Sequence, residues 1–299
     1  MLELISVMAL PLAAGYFSCR REHPEPEDEL FGKPMLLETA AGRLAVYGVG
    51  RGDKSLVFWP SVFSDHTMYR QQAAALQDEY QMLFIDGPGH GRSGPQAPGA
   101  TIAEHAEAVA QVMDRWRIDR AAFVGTSWGG LVGTRLACSH PERLTTLLAL
   151  NTPFDKQPTA PFAAARMIVL GARFVGNCSV FAKGVAASFF SRASQDGKRV
   201  MIDEFASRLA YVNASDMASV ARTVLLDRES EMPNLSRIEV PVVVVAGSDD
   251  GNVGVDELKA AAARFRHGRF FEIADTAHCS ALEAPEVVNR LIREACPQA

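Results

Sequence analysis

The chain lacks the features that mark several common protein classes. Its 299 residues hold only five cysteines, which are scattered and form no C-x-x-C pair. This spacing argues against a zinc site and a disulfide framework and favours a reducing compartment, so we expect a cytoplasmic protein. Basic tracts are absent and the net charge is −5, which gives no reason to expect a nucleic-acid partner. The sequence also has no internal repeat and no low-complexity tract.

An apolar run over residues 2–17 opens the chain. Glu3 stands where a signal peptide carries positive charge, and no lysine or arginine precedes Arg20. The run is also short for a membrane span. We interpret residues 1–34 as an apolar arm and a solvated linker, with the arm packed as a helix on the body or on a partner. A secretion signal and a membrane-surface anchor are the alternatives.

Strand and helix patterns alternate along most of the remaining chain. Short apolar runs predict eight strands, and 3.6-residue periodicity predicts the helices between them. Because strands that alternate with helices form βαβ units, the pattern predicts a mostly parallel α/β sheet flanked by helices. The predicted strands cover residues 35–39, 43–49, 55–59, 81–85, 121–124, 145–150, 240–246 and 269–273, and the predicted helices cover residues 67–78, 102–116, 131–139, 255–265 and 285–294.

The alternation stops over residues 153–231. This stretch has a helical pattern throughout, is rich in Ala, Phe and Val, and carries spaced basic residues. We predict an all-helical cap inserted after the sixth strand, which divides the core into residues 35–152 and 232–299. The apolar side chains of the cap are expected either to line a hydrophobic pocket or to form the cap's own core.

One short turn carries the main chemical signal. Gly125, Ser127 and Gly129 form a G-x-S-x-G motif between a predicted strand and a predicted helix. Such a turn holds the serine in a strained conformation, and bulky side chains two residues away would collide with the strand and the helix. It also directs the first amides of the helix at the reacting oxygen. The motif therefore predicts a nucleophilic serine.

Further reactive groups follow other predicted strands. Asp249 and Asp250 follow the seventh strand, His278 follows the eighth, and a Trp-Pro-Ser sequence follows the third. In open α/β sheets, ligands bind at the carboxyl ends of the strands. We therefore expect these groups to gather with Ser127 at one edge of the sheet.

Together these motifs resemble those of the α/β-hydrolase fold superfamily, over residues 35–299. Besides the elbow, residues 86–93 are similar to the family's D-x-x-G-x-G-x-S loop, residues 140–143 to its H-P-E-R turn, and residues 247–250 to its G-x-x-D acid loop. His278 stands where the family has its base, and the chain order Ser, Asp, His is that of the family's triad. The serine excludes the branches with an aspartate nucleophile.

The resemblance implies a catalytic triad. Ser127 would be the nucleophile and His278 the base that takes its proton, because a serine hydroxyl is a weak nucleophile without a base. A carboxylate would hold the imidazole and stabilise its charge. The family spacing favours Asp250 for this role over Asp249; the other carboxylate of the pair would cap the following helix.

The loop after the third strand departs from the family pattern. The family has His-Gly where this chain has Trp59 and Pro60. The Trp128 amide would be one donor of the oxyanion hole. Because proline has no N–H, the second donor is expected at Ser61, with Val62 as the alternative. Val62 and the Trp128 side chain are also expected to contact substrate.

We therefore expect a serine hydrolase that cleaves a small to medium, largely apolar carboxylic ester through an acyl-enzyme, without a metal or an organic cofactor. Carbon–carbon bond hydrolases and enol-lactonases of aromatic degradation share the triad and the cap, and a non-catalytic ligand-binding homologue is a third alternative. The expected partner is a small acyl compound, and any membrane contact is expected only from the arm. The sequence predicts no oligomeric state.

Overall fold

A computed structural model describes residues 28–156 and 159–297, so the predicted arm at residues 1–19 lies outside the described residues. One sheet runs through the described part of the chain. Its strands are Met35–Thr39 (β1), Gly42–Val49 (β2), Lys54–Trp59 (β3), Tyr80–Asp86 (β4), Ala121–Thr126 (β5), Leu144–Leu150 (β6), Val242–Gly247 (β7) and Gly268–Ile273 (β8). Their spatial order is β1-β2-β4-β3-β5-β6-β7-β8.

The sheet is mostly parallel, as predicted. β2 pairs antiparallel with both β1 and β4, and every other neighbouring pair is parallel. β5 and β7 are buried along their whole length. A parallel strand covered on both faces is apolar throughout, which is why these strands were recognisable as continuous apolar runs. The loops after β3, β5, β6, β7 and β8 consequently meet at one edge of the sheet.

Helices flank this sheet. They are Arg70–Leu76 (α1), Ile102–Arg115 (α2), Trp128–Ser139 (α3), Thr159–Val175 (α4), Ser179–Phe189 (α5), Arg192–Gly197 (α6), Arg199–Arg208 (α7), Ala214–Arg222 (α8), Val255–Ala262 (α9), Ser280–Glu283 (α10) and Pro285–Ala295 (α11). The helix predicted over residues 67–78 is a 3₁₀ turn at His66–Tyr69 followed by α1. The helix predicted from residue 131 begins at Trp128, directly after the elbow serine.

The chain between β6 and β7 is helical where it is described. It forms α4 to α8, of which α4 packs against α8, and α8 continues into a π-helical turn at Thr223–Asp227. This agrees with the helical pattern of residues 153–231, while the boundaries of a separate cap stay a prediction. Within the described ranges, no helix is both long and apolar enough to cross a membrane.

One cysteine departs from expectation. Cys178 is disulfide-bonded, whereas Cys138, Cys279 and Cys296 are free. The spacing of the cysteines carried no sign of this bond, because a disulfide depends on tertiary proximity. The expected cytoplasmic location stays a prediction.

Candidate active site

The turn after β5 has the geometry of a nucleophile elbow. Ser127 adopts φ 53° and ψ −106°, a strained conformation for a residue other than glycine. A Cβ atom on Gly125 would lie 2.2 Å from the carbonyl carbon of Gly129, and one on Gly129 would lie 2.0 Å from the carbonyl oxygen of Trp59. Both positions therefore require glycine. The close approach of Gly129 to Trp59 also places the elbow against the loop after β3.

A buried carboxylate–imidazole pair lies at the ends of β7 and β8. His278 Nδ1 is 2.9 Å from Asp250 Oδ2, and Asp250 also accepts hydrogen bonds from Asn151 Nδ2 and from the Asn252 amide. Burial favours the neutral carboxyl, but attraction to His278 and these hydrogen bonds outweigh it and lower the pKa of Asp250. Asp249 is exposed and accepts from the neighbouring Ser248. The structure thus brings Asp250, and not Asp249, to the imidazole.

The backbone amides of the loop after β3 differ in whether they have an acceptor. The Ser61 N–H donates to Met68 Sδ at 3.4 Å, and the Phe63 N–H donates to His90 Nε2 at 2.9 Å. Burial lowers the pKa of His90, in keeping with a neutral ring that accepts this bond. The Val62 amide donates to no acceptor among the described residues. The loop therefore favours Val62, the alternative donor, over Ser61.

These features agree with the result of comparison with known proteins. The model of the alpha/beta hydrolase fold family matches residues 54–285, more than half of the chain. The chain belongs to the α/β-hydrolase fold family. It is 28% identical over 244 residues to 3-oxoadipate enol-lactonase 2 of Acinetobacter baylyi, covering 81% of this chain and 89% of that one.

Solved structures share the α/β-hydrolase fold. The enol-lactonase from Burkholderia xenovorans LB400 superposes with a TM-score of 0.81 at 23% identity, covering 88% of this chain and 100% of that one. A thermophilic esterase from Thermogutta terrifontis superposes with a TM-score of 0.80 at 22% identity, covering 88% and 97%. At these identities the two structures establish the fold alone.

Asn151 is a site residue that the sequence analysis missed. It follows β6, has φ 51°, and is fully buried. Its Nδ2 donates to Asp250 Oδ2 at 3.1 Å and to the Ala277 carbonyl at 2.9 Å, and its Oδ1 accepts from Ser280 at 2.6 Å. Asn151 therefore joins the loop that carries the acid to the loop that carries the base. Its position directly after a buried strand was the available signal.

A second missed residue, Glu283, joins the base loop to the helical segment. This buried carboxylate accepts from the Ala277 amide at 2.7 Å and from the Ser191 amide at 2.8 Å. The same helical segment contacts the base directly, because the Phe189 carbonyl accepts from the His278 amide at 3.0 Å. The two rings lie 4.9 Å apart between centroids. The His278 imidazole therefore contacts both the core, through Asp250, and the helical segment, through Phe189.

The Trp128 side chain contradicts its expected contact with substrate. It is fully buried, packs edge-on against Trp59, and donates from Nε1 to His105 Nδ1 at 3.2 Å. His105 Nε2 lies 3.1 Å from Gln96 Oε1, and burial lowers the pKa of His105 to about 3. Because the Trp128 side chain has no contact with solvent, it is part of the packed core.

Asp65, His66 and Asp86 form the one group in the described part of the chain with ligand atoms close enough for a metal ion, within 4.8 Å of one another. Asp86 Oδ1 accepts from both the backbone amide and Nδ1 of His66 at 2.8 Å. Asp65 caps the 3₁₀ turn and pairs with Arg208 of α7 at 2.9 Å. Each ligand atom already serves a hydrogen bond or an ion pair, so the cluster is explained as a structural network.

Proposed function

We propose that the protein is a serine hydrolase of carboxylic esters, with Ser127 as nucleophile, His278 as base and Asp250 as acid. The observation that carries the proposal is a strained serine after β5 on the same sheet edge as a buried histidine–carboxylate pair. Strain of this kind is stored at functional sites. A serine needs a base, and a base oriented by a third group is the arrangement that activates it.

The reaction follows from these positions. Because Nδ1 of His278 is bound to Asp250, proton transfer falls to Nε2, which takes the proton of the Ser127 hydroxyl as its oxygen attacks the substrate carbonyl. The imidazolium gains stability from Asp250, which stays ionised well into acidic pH since its pKa is lowered. The imidazolium then protonates the leaving alkoxide. Water activated by the same nitrogen hydrolyses the acyl-enzyme.

Two backbone amides stabilise the oxyanion of the tetrahedral intermediate. One is the amide of Trp128, the first residue of α3, where the helix dipole adds positive potential. The other is the Val62 amide, which the loop leaves uncommitted. Loss of one such donor typically costs about 3 kcal/mol of transition-state stabilisation.

The substrate is an apolar carboxylic ester, and a cyclic ester is a specific candidate. The relative with 28% identity over most of both chains is named an enol-lactonase. A lactone is an internal ester, so the same attack opens its ring and leaves the alcohol attached to the acyl group. The rings of Phe63 and Phe181 pack 5.3 Å apart between the loop after β3 and α5, which supports an apolar surrounding.

The test is hydrolysis of p-nitrophenyl esters of increasing chain length and of lactones by wild type and Ser127→Ala. Ser127→Ala should lower kcat by about 10⁴-fold or more. The matched control is Ser139→Ala at the end of α3, which should retain activity. Comparable activity of Ser127→Ala and wild type would refute the nucleophile. Absence of wild-type activity together with no fluorophosphonate labelling at Ser127 would support a non-catalytic ligand-binding protein.

The acid is tested by two equal changes at neighbouring positions. Asp250→Asn should lower kcat by about 10⁴-fold, because an amide does not hold the required imidazole tautomer. Asp249→Asn should leave kcat near the wild-type value, since that carboxylate is exposed. The reverse pattern would move the acid to Asp249.

A further inference from the structure

The loop after β3 contains a tight turn at Ser61–Ser64. The Ser64 amide and hydroxyl both donate to the Ser61 carbonyl, at 3.3 and 2.8 Å. Of the two central residues, both described by the structure, Phe63 alone has a positive φ, 65°. A positive φ at the third position only is the mark of a type II turn. The peptide group between Val62 and Phe63 therefore has the orientation of that turn type.

Phenylalanine is an unfavourable residue at this position. The left-handed region suits glycine, and a Cβ atom costs free energy there. A type I turn would give Phe63 a negative φ, and it differs mainly by rotation of the central peptide group. The Phe63 ring packs edge-on against Phe181 with centroids 5.3 Å apart, but this contact makes no bond to the peptide N–H. A contact from outside the turn must therefore orient the peptide group.

His90, in the loop after β4, supplies that contact. Its Nε2 lies 2.9 Å from the Phe63 amide nitrogen, and its Nδ1 lies 2.9 Å from the Pro88 carbonyl oxygen. A backbone N–H can only donate and a carbonyl can only accept, so the buried ring is neutral with its proton on Nδ1. The flanking Gly89 and Gly91 have φ 69° and 49°, so the loop that carries this ring depends on glycine.

The neutral ring favours one turn type over the other. Rotation to a type I turn would direct the Phe63 N–H away from His90 and the Val62 carbonyl toward it. The lone pair of Nε2 would then face an oxygen instead of a donor. The Ser61 amide, on the other side of Val62, donates to Met68 Sδ at 3.4 Å. The Val62 amide thus lies between two anchored neighbours.

We propose that His90 is a positioning residue for the hydrolysis: by accepting from the Phe63 amide it keeps the turn in its type II form and holds the Val62 amide ready for the oxyanion. This inference rests on the proposed function, in which Val62 is the second oxyanion donor. A donor that is fixed before the reaction stabilises the oxyanion without reorganisation, whereas a mobile donor must be ordered in the transition state.

The test compares kcat and KM of wild type, His90→Leu and His90→Gln. His90→Leu removes the acceptor and should lower kcat by about 10²-fold, the lower end of the cost of losing an oxyanion donor. KM should change by less than about threefold, because the oxyanion exists only after attack. The Gln amide oxygen reaches about as far as Nε2, so His90→Gln should retain kcat within about tenfold of wild type.

Two further variants separate positioning from general stability. Tyr80→Phe removes a buried hydroxyl that donates to the Cys296 carbonyl at 2.8 Å, at the opposite end of β4, and should leave kcat near the wild-type value. Phe63→Gly removes the Cβ that strains the turn. In that background, His90→Leu should lower kcat by less than about tenfold. An equal loss in both backgrounds would refute the role of the strained turn.

Hydrogen exchange of the Phe63 amide, followed by NMR, tests the anchor without hydrolysis. Exchange should be at least about tenfold faster in His90→Leu than in wild type, and close to wild type in His90→Gln. Equal exchange in wild type and His90→Leu, or equal loss of kcat in His90→Gln and His90→Leu, would overturn the proposal. Failure of the proposed function has a different signature, an inactive wild type or an active Ser127→Ala.

Discussion

Removal of the Glu283 carboxylate should destabilise the fold through two backbone amides. Ala277 and Ser191 are 2% and 3% exposed, and each amide donates to one oxygen of Glu283, at 2.7 and 2.8 Å. A buried donor left without an acceptor costs about 1–3 kcal/mol. Glu283→Ala should therefore lower the free energy of unfolding by about 2–6 kcal/mol, a large part of the stability of a typical domain.

Glu283→Gln separates the two bonds. The amide keeps one acceptor oxygen and turns an NH₂ group toward the other N–H, so about half of the loss should remain. Urea unfolding curves of wild type and the two variants, fitted with one shared m-value, give their free energies of unfolding. The expected order of stability, from highest to lowest, is wild type, Glu283→Gln and Glu283→Ala. The control is Glu272→Ala on β8, where an exposed glutamate undergoes the same truncation.

The same variants report on the base. Ala277 directly precedes His278 in the chain. The rate of the proposed hydrolysis should therefore be lower in Glu283→Ala than in wild type, even without urea, where the variant is folded. A loss of less than about 1 kcal/mol in Glu283→Ala would mean that the two amides find other acceptors. That result would refute the view of Glu283 as a link between the base loop and the helical segment.

Two further predictions concern the packing of the core. Burial lowers the pKa of His105 from 6.5 to about 3. As pH falls below about 6.5, His105 is therefore protonated in the unfolded chain but stays neutral in the folded protein. Over this range, protonation of His105 in the unfolded chain should lower the free energy of unfolding by about 1.4 kcal/mol per pH unit. The same dependence of the free energy of unfolding on pH in wild type and His105→Gln would contradict the assignment. Gly129→Ala should abolish hydrolysis and cost at least about 2 kcal/mol, since its Cβ would lie 2.0 Å from the Trp59 carbonyl oxygen. Gly197→Ala, with nothing within 4 Å, should cost little, and equal losses would refute the steric argument.

Local chemistry accounts for what the sequence by itself determined. Apolar runs and amphipathic periods depend on neighbouring residues, so the eight strands and their mostly parallel arrangement were predictable before the structure. The turn around Ser127 is partly local, because Gly125 is required by the backbone of Gly129 in the same turn, whereas Gly129 is required by the Trp59 carbonyl at the end of β3. The order of serine, aspartate and histidine, together with the family resemblance, placed the candidate groups at one edge of the sheet.

The tertiary structure alone decided which atoms meet. The family spacing favoured Asp250 over Asp249, but the contact itself depends on the path of their loop, which turns Asp250 toward an imidazole 28 residues away. Likewise, the Val62 amide has no acceptor among the described residues, whereas the amides of its neighbours Ser61 and Phe63 donate to Met68 and His90.

The most distant contacts left the weakest trace in the sequence. Asn151 reaches Asp250 across 99 residues, and Glu283 reaches Ser191 across 92. Hydrogen bonds between such positions depend on the packing of whole elements, which no local pattern of residue types encodes. The elements and the reactive groups were therefore properties of the sequence, whereas the pairing of those groups was a property of the fold.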